Sequence, residues 1–186
     1  MNYHIEKKLG LADMDFLRSM IGEELKTVLI RPLYDEPISE GMECLGVDLI
    51  TNVKRVKIVN DVIDEKDRDE WFQLEANDKE WGKWAPELQN LDLNFSGTIT
   101  GVTVWRDCVS WGNEKNHWVV EADVAILLHF KDSQILFKAI DSLAGFIAIY
   151  NDEEAIRHEI EDAESTWLRF KTDKVDQCYR ECLNLK

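Results

Sequence analysis

From Trp118 to Phe130 every second residue is apolar: Trp118, Val120, Ala122, Val124, Ile126, Leu128 and Phe130. Side chains that return to one face every two residues belong to a β-strand, so this stretch must bury a whole face against a core. The intervening set, Val119, Glu121, Asp123, Ala125, Leu127 and His129, turns from acidic to apolar, which carries the strand into the protein centre. The turn residues Lys131-Asp132-Ser133 and the apolar run Gln134 to Ile140 then complete a β-hairpin.

The same reading applies upstream. Gly46-Val47-Asp48-Leu49-Ile50 and Lys54-Arg55-Val56-Lys57-Ile58-Val59, joined near Asn52, form a second hairpin, and Leu25 to Ile30 is a strand stopped by Pro32 and Pro37. Shorter strands are expected at Trp71 to Glu75, Ile99 to Trp105 and Phe146 to Tyr150, with a loop over 76–96. Laid side by side, Gly46 to Ile50 with Val59-Asn60-Asp61 matches Ala122 to Ile126 with Ala139-Ile140-Asp141. The halves therefore read as two degenerate β repeats offset by roughly 75 residues, against the competing reading of coincidence between hairpins. Phe16, Leu17, Met20 and Ile21 fall at helical spacing behind an Asp13 cap and before Gly22. At the other end Val175, Tyr179 and Leu183, with Cys178 and Cys182 beside them, predict a helix capped by Asp173. The expected fold is α+β, a mostly antiparallel sheet with an N-terminal and a C-terminal helix, in one domain spanning 1–186. No Pro/Gly/Ser-rich linker divides it.

Composition sets the class. Of 186 residues 45% are hydrophobic and 32% charged, too apolar for a disordered chain. No apolar signal-peptide core follows Met1 to Lys8, and the longest apolar runs, Val124 to Leu128 and Leu143 to Tyr150, are strand-sized rather than membrane-spanning. A cytoplasmic protein with Cys44, Cys108, Cys178 and Cys182 as reduced thiols is the expectation. The formal net charge is −15 and it is concentrated. Segment 61–80 sets nine acids, Asp61, Asp64, Glu65, Asp67, Asp69, Glu70, Glu75, Asp78 and Glu80, against Lys66, Arg68 and Lys79. Segment 151–164 sets seven, Asp152, Glu153, Glu154, Glu159, Glu161, Asp162 and Glu164, against Arg157. Such a surface repels nucleic acid and anionic membrane and attracts basic proteins, unless it serves solubility alone.

Catalytic patterns are thin. Cys178 and Cys182 stand at the i, i+4 spacing of paired ligands, but no second pair completes a metal set, and His4, His117, His129 and His158 are scattered. His129 near Asp132 and Ser133 suggests a base with a nucleophile, although turn chemistry accounts for both neighbours. Glu121 and Asp123 share a strand face as a carboxylate pair, one of many acid pairs here. No catalytic residue, cofactor or metal is assigned, and the chain reads as a binding protein rather than an enzyme. Trp71, Trp81, Trp84, Trp105, Trp111 and Trp118 crowd one region, and Trp81 and Trp84 adjoin the first acidic segment. They serve either as partner anchors or as core.

The hairpin Leu45-Gly46-Val47-Asp48-Leu49-Ile50 … Arg55-Val56-Lys57-Ile58-Val59-Asn60-Asp61, in a small acidic chain with tryptophans, resembles the immunity proteins that bacteria make against polymorphic toxins. The resemblance implies a basic protein partner, a cognate toxin domain such as a nuclease, covered by acidic surface. The expected partner-binding residues are Asp61, Asp64, Glu65, Asp67, Asp69, Glu70, Glu75, Asp78, Glu80, Trp81 and Trp84. The alternative is a small-molecule or carbohydrate-binding domain that uses the Trp-rich 71–118 region as a stacking platform, with or without hydrolysis.

Overall fold

The structure, a computed structural model, describes residues 1–32, 41–65, 69–78, 91–140, 145–172 and 174–186. Its elements in chain order are β1 (Asn2–Lys7), α1 (Leu11–Arg18), β2 (Glu24–Pro32), β3 (Met42–Thr51), β4 (Arg55–Asp64), β5 (Glu70–Asn77), β6 (Leu91–Asp92), β7 (Gly97–Thr98), β8 (Gly101–Gly112), β9 (His117–His129), β10 (Gln134–Ala139), β11 (Ile147–Tyr150), α2 (Glu153–Glu161), α3 (Ala163–Phe170) and β12 (Gln177–Leu185). The fold is α+β and mostly antiparallel, as the alternation patterns require.

Each half is a four-stranded antiparallel meander. In the first, β2 pairs β3, β3 pairs β4 and β4 pairs β5. In the second, β8 pairs β9, β9 pairs β10 and β10 pairs β11. The two halves thus share one strand order. The halves join where β11 runs antiparallel to β3, Ile147 opposite Cys44 and Ile149 opposite Met42. Gly145, just before β11, takes φ +70, and a Cβ there would lie 2.3 Å from the Asn60 carbonyl of β4. Only glycine permits that approach. The Asn60 side chain donates to the Phe146 carbonyl (3.0 Å), fastening β4 to the same junction.

The β9 strand behaves as its pattern demands. Val120, Ala122, Val124, Ile126 and Leu128 are fully buried, and from Ala122 to Leu128 every residue is buried, Asp123, Ala125 and Leu127 included. A bulge between Trp105 and Arg106 of β8 resets the pairing, so that Trp105 opposes Ala125 and Arg106 opposes Asp123.

Three features depart from the sequence reading. Residues 2–7 form β1, which lies parallel to β9 with Glu6 opposite Glu121. Helix α1 starts from Gly10 rather than from Asp13. Asp13, inside the first turn, instead accepts from the Gly10 amide (2.9 Å) and from the Ala76 amide of β5 (3.1 Å), tying helix to sheet. The C-terminal helical structure is α2 and α3, whereas the stripe Val175, Tyr179, Leu183 lies in or beside strand β12, which pairs β8 along Gln177 to Leu185. A four-residue spacing returns to one face in a helix and in a strand alike, so that stripe never distinguished the two. Among the described residues no helix is long and apolar enough to cross a membrane.

Candidate partner-binding surface

The first acidic segment is the β4–β5 hairpin. Antiparallel pairing sets Asp61 opposite Gln73, Val59 opposite Glu75 and Asp64 opposite Glu70, the last pair beside the 65–69 connection. Core-facing Phe72, Leu74 and Ala76 of β5 are buried, which leaves Gln73, Glu75 and Asn77 half-buried on the other face. Asp61 and Asp78 are exposed. Glu65 is half-buried and accepts from Lys7 of β1, an ammonium whose side chain is only 3% exposed. Asp69 meets Lys171 Nζ at 3.2 Å, and the same ammonium donates to the Glu70 carbonyl and lies 4.4 Å above the Trp71 ring. Glu75 accepts from Asn77 at 3.0 Å. Only the backbone of Asp64 is described; Asp67, Glu80, Trp81 and Trp84 lie outside the described residues.

Counting charges along the sequence therefore overstates the field of this hairpin. Lys7 and Lys171 come from distant parts of the chain and place positive charge beside Glu65 and Asp69. Both ammonium groups are nearly desolvated, a cost offset by carboxylate, carbonyl and aromatic contacts together.

The second acidic segment is α2 and the start of α3. Asp152 caps α2 by accepting from the Ala155 amide (2.9 Å), and Glu153 and Glu154 stand in the first turn, where carboxylates favour the helix dipole. Ile156 is buried, Ile160 packs on the core, and the acids coat the solvent side, as their spacing predicts. Asp152, Glu153, Glu154, Glu161 and Glu164 are exposed. Glu159 is the exception: it accepts from buried Lys138 of β10. Phe72 of β5 packs against Trp167 of α3 with ring centroids 5.6 Å apart, and Lys171 follows directly. The two acid-rich stretches, far apart in sequence, thus lie on elements packed against each other.

Of the described tryptophans, four are interior and Trp118 is half-buried. Trp111 stacks on Trp71 (6.1 Å) and Trp118 (5.9 Å) and meets Trp167 (6.1 Å), while Tyr3 closes the row on Trp118. Trp71, Trp105, Trp111 and Trp167 are buried, so their faces are spent on each other and on the core rather than offered to a sugar.

The pairings weighed for catalysis are taken up structurally. Asp123 is fully buried, accepting from Arg106 Nε (2.7 Å), Arg106 Nη2 (3.0 Å) and the Leu9 amide (2.7 Å), whereas Glu121 is bonded to Lys8. His129 sits in a chain of side chains. Thr103 Oγ1 donates to Asn184 Oδ1 (2.7 Å), so it must accept from His129 Nε2 (2.7 Å), and Nδ1 accepts from Gln134 (3.2 Å). That network fixes the neutral Nε2–H tautomer, and burial lowers the imidazole pKa from its ordinary value. Asp132 and Ser133 line a cleft of about 310 Å³ with Phe130, Gln134, Asn151, Glu153 and Ile156. Cys178 and Cys182, on strand β12, are free thiols, as are Cys44 and Cys108. Comparison with protein-family models, curated proteins and solved structures returned no match.

Proposed function

We propose that this chain is a binding protein that neutralises a basic protein partner, in the manner of a toxin-immunity protein covering a cognate toxin such as a nuclease. The observation that carries the reading is the junction of the two acid-rich stretches across Phe72–Trp167 and Asp69–Lys171. It sets exposed Asp61 and Asp78 of the β4–β5 side and exposed Asp152, Glu153, Glu154, Glu161 and Glu164 of the α2–α3 side on neighbouring elements. Concentrated negative charge steers a basic protein into encounter and disfavours nucleic acid and anionic membrane. The proposed surface therefore extends from the hairpin onto the helices, where the acids are less compensated by lysine.

The test is to sequence the reading frames that flank this chain's gene and to co-express with it any toxin domain found there. Growth restored by this chain, together with a complex whose association slows as salt rises, is the expected result. A toxin that still kills, or a complex indifferent to salt, ends the proposal.

A further inference from the structure

Away from the acidic hairpin and helices, strands β1 and β9 bring three metal-ligating side chains together. In β1 the residues alternate, with Ile5 and Lys7 buried and His4 and Glu6 on the solvent side. Parallel pairing places Glu121 of β9 directly beside Glu6. His4 Nε2 lies 3.2 Å from Glu6 Oε1, and one ligand atom from each of His4, Glu6 and Glu121 falls within 4.8 Å of the others. Lys8 already holds the pair of carboxylates: its ammonium bonds Glu121 and stands 3.6 Å from Glu6 Oε1.

We propose that His4, Glu6 and Glu121 form a site for a divalent transition-metal ion of the Zn²⁺ type, with Lys8 as the internal cation that the metal displaces. Ligand bonds of about 2.0–2.2 Å need donor atoms roughly 3.5 Å apart around a tetrahedral ion. The His4 and Glu6 donors already lie 3.2 Å apart, and the β1–β9 pairing fixes the backbone beneath all three residues. The imidazole selects against Mg²⁺ and Ca²⁺, which prefer all-oxygen shells. Three protein ligands leave a fourth position open to water or to a group from outside the chain. The site was hidden in the sequence because Glu121 lies far along the chain from His4 and Glu6, and only the β1–β9 pairing joins them.

The experiment is a Zn²⁺ titration of the full chain in competition with a chromophoric chelator at fixed pH. It is run on a Cys182→Ser background, since Cys182 is the exposed thiol. One site is expected, unaffected by excess Mg²⁺ or Ca²⁺. His4→Ala and Glu121→Gln should each weaken it by about tenfold or more, at least the loss that removing a supporting group causes. Lys8→Met should tighten it by removing the competing ammonium. Circular dichroism confirms that the variants fold, as expected for side chains outside the core. Zn²⁺ affinity that is unchanged in His4→Ala and Glu121→Gln, or indifferent to Lys8→Met, overturns the assignment in favour of diffuse binding to an acidic surface.

Discussion

Arg180 grips Asp107 with two parallel hydrogen bonds, Nε to Oδ1 at 2.6 Å and Nη2 to Oδ2 at 2.8 Å, at a place where the carboxylate is entirely buried. The indole of Trp167 donates to the same carboxylate (2.9 Å), and Arg180 also donates to the Glu159 carbonyl at the end of α2. One aspartate on β8 thereby fixes β12, α2 and α3. Removing either partner strands a charge in the core, so Asp107→Ala and Arg180→Met should each cost about 3–5 kcal/mol. Urea unfolding measures this, and the double variant should lose less than the sum of the two singles. A single-variant loss below about 1 kcal/mol would mean that water reaches the pair.

Trp111 is the hub of the aromatic row. Truncation to Ala removes its contacts with Trp71, Trp118 and Trp167 at once and opens a cavity that rigid strands cannot collapse. The expected cost is about 3–5 kcal/mol, with loss of near-ultraviolet circular dichroism. A folded variant of near wild-type stability contradicts a packed aromatic row.

Binding to a basic partner should respond to charge before it responds to packing. Reversing Glu153, Glu154 and Glu161 to Lys should slow association and flatten its salt dependence, with dissociation little changed. Asp61→Lys with Asp78→Lys makes the matching measurement on the hairpin. Stopped-flow or surface kinetics that move in neither variant place the interface elsewhere on the molecule.

His129 links pH to stability. Burial lowers its pKa in the folded state below the ordinary value of 6.5, so the unfolded chain binds the proton more readily. Its contribution is fully present above pH 6.5 and declines as pH falls from there through the lowered folded value. Denaturation midpoints for wild type and His129→Gln should converge as pH drops through that window. Parallel curves would show that the imidazole is not the titrating group.

The thiols should separate by burial. Cys44 is fully buried and its pKa is pushed up to about 12, chiefly by desolvation, whereas Cys182 is exposed. Iodoacetamide without reductant should label Cys182 first and reach Cys44 only on unfolding, with all four thiols labelled at the end. A native disulfide, or early labelling of Cys44, contradicts this order.

What the sequence made legible follows one physical signal. Period-2 alternation located β9, β10 and the β3–β4 hairpin, because one buried face forces the pattern on a strand. It was weaker in β1 and β12, where Lys7 and Arg180 occupy inward positions and disguise the buried face. Their charges are tolerated only because Glu65 and Asp107 meet them from other elements, and pairings of that kind leave no local mark. The acidic segments were read correctly as composition, but Lys7 and Lys171, which temper Glu65 and Asp69, were invisible to a count along the chain.

The seam between the meanders has a consequence for how the molecule breathes. β8 and β9 are zipped along their whole length, while β11 meets β3 only through Ile147–Ile149 against Met42–Cys44. Cooperative opening units form where backbone ladders are long and part where they are short. The short β11–β3 ladder is therefore the expected weak point of the sheet, and amide exchange at Ile147 to Ile149 should run ahead of exchange at Val104 or Ile126.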